Sequence, residues 1–251
     1  ISNVHIENIS ERIGLIPGDL ALSSAEDELN SQWPDCLDRR ARAFRVISAF
    51  WRILEQGARE RGVDVVLIDV GPNLGAMNRA ALIAAQHVVI PLAPDLYSLQ
   101  GLKNLGPTLD RWREEWGERL PRNPVADLSM PGGEMEPVGY VILQHGIRDS
   151  RPVQAYQRWM NRIPETYQSS LIASSDGTAP GSVAADPHCL ATLKHYRSLM
   201  PLAMEAHKPI FHLKPADGAI GAHVEAVKNC SADFENLAKR IGDATGISFP
   251  V

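Results

Sequence analysis

Residues 62–94 read GVDVVLIDVGPNLGAMNRAALIAAQHVVIPLAP, and the fold turns on this stretch. It holds two β-branched apolar runs, Val63–Ile68 and Val88–Leu92, each short enough to be a strand buried on both faces, as in a parallel sheet. Between them Asn78–Ala85 is rich in Ala and Leu and free of Gly and Pro, which predicts a crossover helix. Strand, helix and strand at this spacing form a right-handed βαβ unit. The first run ends in Asp69, followed by Val70-Gly71-Pro72-Asn73. A carboxylate at the C-terminal end of a buried parallel strand stands on the edge where such sheets bind ligands. There it suits Mg²⁺, directly or through water, because that ion takes one or two carboxylates plus phosphate oxygens and waters. The same residues also fit a purely structural role, with Asp69 capping the Ala-rich helix and Gly71-Pro72 forming a turn.

Four pieces of sequence, in order, carry a family pattern: Val65–Gly75 (VVLIDVGPNLG), Asn78–Leu82 (NRAAL), Val89–Leu92 (VIPL) and Leu99–Leu102 (LQGL). Together they resemble the ParA/MinD-type ATPases, whose pattern is an apolar strand ending IDxxPxxG, a small-residue helix, a (V/I)P strand and an (E/Q)GL helix. The resemblance implies that Asp69 lies near Mg²⁺ and that Gly71, Pro72 and Gly75 belong to the loop that senses the γ-phosphate. It implies a nucleotide-side position for Asp95 and, at the end of a later strand, an adenine contact for Gln144. An amide suits a base edge because it donates and accepts at once. Gly14–Asp19 (GLIPGD) resembles the family's (L/I)IPG strand end, and Lys208-Pro209 with Gly218 and Gly221 resembles its C-terminal region.

The family's phosphate loop is a Lys- and Gly-rich turn after the first strand. The one approximation to G-x-x-x-x-G-K-[ST] in these residues is Gly101–Thr108 (GLKNLGPT), where Pro107 stands in the lysine position and Leu99, Leu102 and Leu105 make a helical stripe. The sequence begins with Ile1, and the expectation is that at least one upstream βαβ unit, about thirty residues or more, is not included in it. ATP hydrolysis is therefore expected only if a phosphate loop lies upstream of Ile1.

At 251 residues with 44% hydrophobic content the chain has ample material for a core. A net charge of −5 argues against a surface that coats DNA or a membrane, though not against a local basic patch. Cys36, Cys189 and Cys230 are few, odd in number and unpatterned, which fits a reducing cytoplasm. No apolar run has the length of a membrane span. His188, Cys189, His195, His207 and His212 have no zinc-ligand spacing.

Along the chain, Leu20–Leu29 reads as a short helix and Trp33–Arg40 as a polar connector. Arg42–Arg61 is predicted to be a helix, with Phe44, Ile47, Trp51, Leu54 and Ala58 on one face and Gly62 ending it. Its other face carries Arg39, Arg40, Arg42, Arg45 and Arg52, which suits either a solvated surface or nucleic-acid phosphates. Ser98–Trp116 is a helix in which Pro107 makes a kink or a restart. Residues 117–137 form a long loop, functional or disordered. Val138–His145 is a strand, with Arg148 and Arg151 in the loop after it. Pro152–Ser170 and His188–Ala206 read as helices, Pro209–Lys214 as the last strand and Gly221–Ala244 as the closing helix.

The expected architecture is a single α/β domain over residues 1–251. It is a mostly parallel twisted sheet with helices on both faces, like a P-loop NTPase lacking its first βαβ unit, with strands near 13–17, 63–69, 87–93, 138–144 and 209–213. By resemblance the intact protein is a cytoplasmic ATP- and Mg²⁺-dependent switch that dimerises around nucleotide, in plasmid or chromosome partitioning or in cargo positioning. Non-specific DNA or an adaptor protein is the expected further partner. The alternative is a non-catalytic scaffold that keeps the fold and has lost the phosphate loop. An unrelated α/β hydrolase using Asp69 is disfavoured by the absence of a nucleophile elbow.

Overall fold

The computed structural model describes residues 4–143, 157–172 and 180–248. They fall into two compact units, Ile1–Val88 with Pro107–Glu136, and Val89–Gly106 with Pro137–Val251.

The first unit opens with a hairpin, β1 (Glu7–Ser10) antiparallel to β2 (Ile13–Leu15). The strand expected at 13–17 is thus a hairpin arm and not part of the parallel sheet. A turn of 3₁₀ helix, Leu20–Ser24, starts where the Asp19 side chain accepts from the Ala21 N–H. It leads into α1 (Ala25–Asp35), which runs on into the start of the predicted connector and buries Leu29 and Trp33. The predicted helix at 42–61 is divided at Ser48 into α2 (Ala41–Ile47) and α3 (Ala49–Arg61), and Gly62 ends it as expected. Ser48 is fully buried, and its Oγ accepts from Arg52 Nε at 3.1 Å. After the motif loop comes α4 (Ala76–Ala84), whose Ala76, Asn78 and Ala80–Ala84 are all buried. A helix apolar on nearly every side belongs inside a core.

The run Val63–Val70 has no regular secondary structure and forms no ladder with any described residue. This corrects the expectation of a strand over 63–69. Leu67 is 86% exposed, and among the described residues no strand pairs with this segment, whose composition is that of a doubly buried strand.

In the second unit β3 (His87–Leu92), β4 (Glu136–Leu143) and β5 (Cys189–Leu193) make a three-stranded parallel sheet in the order β3-β4-β5. At the entry to β4, Met135 donates to the Ala85 carbonyl and Glu136 to that of Gln86, both chains advancing in the same sense. Tyr140, Val141 and Ile142 are buried in succession, which requires cover on both faces. One cover is the last helix. Val141, Leu190 and Leu193 pack with Val89 against Leu237 and Ile241 of that helix, Ala222–Thr245. On the other side the Tyr140 ring meets Tyr167, centroids 5.0 Å apart, in the short helix Ile163–Tyr167. β5 replaces the first part of the helix expected at 188–206, which begins only at Leu199 and ends at Ala206. The strand expected at 209–213 is instead a 3₁₀ turn, Ile210–His212, after which Leu213 is buried against Leu199, Ala219 and Val227. The helices after α4 include, in chain order, α5 (Leu96–Arg119), α6 (Ile163–Tyr167), α7 (Leu199–Ala206) and α8 (Ala222–Thr245). Gln144, Arg148 and Arg151 lie outside the described residues.

The expected long loop is anchored. Within the first unit Trp116 Nε1 donates to the Pro131 carbonyl at 3.0 Å, and the Arg113 guanidinium donates to the carbonyls of Glu134 and Met135. Trp51 Nε1 donates to Ser129 Oγ.

Beneath β4 the Tyr140 hydroxyl donates to Asp186 Oδ2 at 2.6 Å, while Asp186 Oδ1 accepts from the His188 N–H. Burial, then the Asp186 hydrogen bond and charge, push the Tyr140 phenol far above its ordinary range; burial, then Asp186, push Tyr167 the same way. In the unfolded chain both phenols ionise near pH 10, whereas in the folded protein they stay neutral well beyond it. Their stabilisation is therefore complete below about pH 10 and is lost as pH rises above it, by up to about 1.4 kcal/mol per pH unit for each phenol. Urea unfolding between pH 8.5 and 11.5 (roughly the window set by free tyrosine) is expected to show this fall, with a shallower slope in Tyr140→Phe.

Candidate functional site

The motif residues Asp69, Gly71, Pro72 and Gly75 occupy one continuous loop between the apolar run Val63–Ile68 and α4. Asp69 is exposed, and its carboxylate makes no hydrogen bond to a described residue. Gly71, Pro72 and Asn73 are exposed as well. The loop itself is tightly held from below. The buried Asn78 amide donates to the Gly71 carbonyl at 2.6 Å and to the Asn73 carbonyl at 2.7 Å. Asn73 Oδ1 in turn accepts from the Gly75 N–H at 3.1 Å.

The first N–H groups of any helix lack intrahelical partners. In α4 the capping position is Gly75, which has no side chain, and no residue of the first turn is acidic. The need is met from α1: Glu26 Oε1 accepts from the Ala76 N–H, and Glu26 Oε2 from the Met77 N–H at 2.8 Å. This also accounts for the glycine. A Cβ at position 75 would lie 2.5 Å from Glu26 Oε1 and 3.1 Å from Asn73 Oδ1.

Trp33, one further contact of α1, carries the Arg79 guanidinium 4.2 Å from its ring centroid and that of Arg119 at 4.5 Å. Burial lowers the Arg79 pKa, opposed by the charges of Glu115 and Glu26. Beside them burial pushes the Cys36 thiol up to about 11, so this cysteine is a core residue and not a nucleophile. All three cysteines are free and buried.

Asp95 belongs to the second unit, where its carboxylate has a structural contact. It caps α5, Oδ1 accepting from the Ser98 N–H at 2.8 Å, while Ser98 Oγ accepts from the Ala93 N–H. The arginines of the predicted basic face are largely engaged. Arg40 pairs with Asp35 at 3.0 Å, Arg42 with Glu28 at 2.9 Å, and Arg52 binds Ser48 Oγ and the Arg45 carbonyl. Sequence reading found the loop but not Glu26, which lies fifty residues upstream of its partners with no local pattern to mark it.

The donor set suits Mg²⁺ with nucleotide only in part. Asp69 offers one unencumbered carboxylate beside a glycine loop, the contribution that a magnesium ion held mainly by phosphate and water requires. The lysine and hydroxyl of a phosphate loop are not among the 251 residues, so no hydrolytic step follows from these side chains alone. Among the described residues no group of three or more His, Cys, Asp or Glu side chains is placed to hold a metal. No helix there is long and apolar enough to cross a membrane.

Fold and site together define an α/β protein with a parallel sheet covered by helices and an acid-then-glycine loop leading into a helix. A crystal structure of protein DIP2308 from Corynebacterium diphtheriae shares this fold, with a TM-score of 0.56 and 22% identity over 93% of this chain and 66% of that one. Residues 1–121 match a family described as AAA domain. Among curated proteins, the uncharacterized protein Rv1708 of Mycobacterium tuberculosis is 26% identical over 187 residues, 74% of this chain and 50% of its own length. The chromosome-partitioning ATPase Soj of Thermus thermophilus is 37% identical over 67 residues, 27% of each chain. The chromosome partitioning protein ParA of Caulobacter vibrioides is 32% identical over 108 residues, 43% of this chain and 36% of the relative. The chain is similar to the ParA-type partitioning ATPases, at low identity and over part of its length. It spans half the length of the Mycobacterium relative and less of the other two.

Proposed function

We propose that these residues are part of an ATP- and Mg²⁺-dependent switch of the ParA/Soj type, working in partitioning or cargo positioning in the cytoplasm as a dimer formed around nucleotide. The observation that carries this reading is the loop Asp69–Gly75. It has a free carboxylate at its start, carbonyls held by Asn78, and a helix at its end whose first N–H groups are fixed in place. Such a loop has the preorganisation that distinguishing a triphosphate from a diphosphate demands, because phosphoryl chemistry of this kind rests on positioning and charge. Asp69 would supply a magnesium ligand, and Gly71 and Pro72 the close approach to the terminal phosphate. Binding of ATP requires a phosphate loop from polypeptide outside the 251 residues. A DNA or adaptor partner is part of the same reading, supported by the partitioning relatives rather than by any basic surface found here.

Sedimentation of the intact protein, as its full reading frame encodes it, tests the switch. ATP with Mg²⁺ is expected to double the mass, ADP to leave a monomer, and Asp69→Ala to abolish the ATP response. A mass indifferent to nucleotide would favour the non-catalytic scaffold.

A further inference from the structure

We infer that Glu26 is a positioning residue for the Gly71–Gly75 loop and that it sets the preference for ATP over ADP, an inference that rests on reading this loop as the γ-phosphate sensor. Its two carboxylate oxygens divide between consecutive backbone donors, Ala76 N–H and Met77 N–H, directly after the loop. Anionic acceptors at a helix N-terminus gain from both the aligned peptide dipoles and the charge-assisted hydrogen bonds. Nothing local replaces them, since Gly75 brings no side chain and the first turn of α4 holds no acid.

The carboxylate is itself aimed by its helix. Glu26 and Trp33 are seven residues apart and so share one face of α1. The first grips the start of α4, and the second lies under Arg79 one turn further on. α1 therefore fixes α4 at two points, in position and in rotation. The loop is then defined from both ends: Asn78, carried on α4, holds the Gly71 and Asn73 carbonyls, and Glu26 holds the peptide groups where the loop becomes helix. Removing the carboxylate frees two N–H groups and lets the loop and the first turn of α4 move together, with no change to the residues that would touch phosphate. Glu26 acts on the backbone it holds and, as an anion, offers phosphate no donor, so its effect falls on discrimination.

The test uses the intact protein as Glu26→Ala and Glu26→Gln, with thermal unfolding measured alongside. Amide hydrogen exchange over residues 71–77 without nucleotide is expected to quicken about tenfold in Glu26→Ala, the worth of a hydrogen bond to a charged group, with ADP affinity unchanged and the ATP-to-ADP affinity ratio lowered by about the same factor. Glu26→Gln, keeping one acceptor oxygen, is expected to fall between the two and serves if the alanine variant unfolds. Unchanged exchange, or a wild-type ATP-to-ADP ratio in a folded variant, overturns the role of Glu26. Equal affinity for ATP and ADP in the wild-type protein overturns the sensing role of the loop, and the inference with it.

Discussion

Trp33→Ala is expected to lower the unfolding free energy by about 3–5 kcal/mol, the range for removing a large aromatic from a core that relaxes only partly. The indole is 6% exposed and stacks on Trp116 with centroids 5.8 Å apart. Both guanidinium groups that lie over it would lose their apolar and π partner. Arg119 is itself 6% exposed and is tied to the neighbourhood by its bonds to the Trp33 and Glu115 carbonyls, so it has no route to water. Arg79 Nη2 is buried with no hydrogen-bond partner, so loss of the ring leaves that cation worse satisfied still. Glu115 would lose the indole N–H that it now accepts at 2.8 Å. Trp33→Phe, which keeps the stack and drops that donor, is expected to cost about 1–2 kcal/mol. Denaturant unfolding followed by circular dichroism separates the two variants.

Gly106→Ala is expected to cost about 3 kcal/mol, the upper end for overpacking, because the obstacle is backbone. A Cβ at Gly106 in α5 would lie 1.7 Å from the Ser170 carbonyl oxygen and 2.6 Å from its carbon. The side chains of a core adjust by changing rotamer, but a carbonyl moves only with its chain. Gly117, in the same helix, has nothing within 4 Å of the corresponding point. Gly117→Ala is accordingly expected to stabilise by about 0.5–1 kcal/mol through helix propensity alone. Opposite signs for one substitution at two positions of one helix make the contact, not the propensity, the measured quantity.

Much of this architecture is written locally. β3, β4, α4 and α8 follow from apolar runs bounded by turn residues, and the end of α3 follows from Gly62. Two kinds of segment resist that reading. Cys189–Leu193 places Leu190 and Leu193 three apart, a spacing that suits a helix as well as a short buried strand, and only pairing with β4 decides it. Pro209–Leu213 has strand-like side chains yet becomes a 3₁₀ turn, because Leu213 is drawn into the cluster around Leu199. Val63–Val70 shows the reverse, a strand composition with no strand paired to it among the described residues. At the site the loop was legible from Asp69 and its glycines. Glu26 and Trp33 were not, since their work is done across α1 and α4, between residues tens of positions apart. Asp95, for which the resemblance implies a nucleotide-side position, caps α5 through its carboxylate.

Calorimetric titration of the intact protein with ATP in the presence of Mg²⁺ bears most directly on the central claim, that the acid at the end of the apolar run Val63–Ile68 serves a bound nucleotide. The expected result is saturable binding of ATP that weakens at least about tenfold, 1.4 kcal/mol, in Asp69→Ala and likewise when Mg²⁺ is chelated. Binding of equal strength in the wild-type and Asp69→Ala proteins, or no binding of ATP by either, would contradict it.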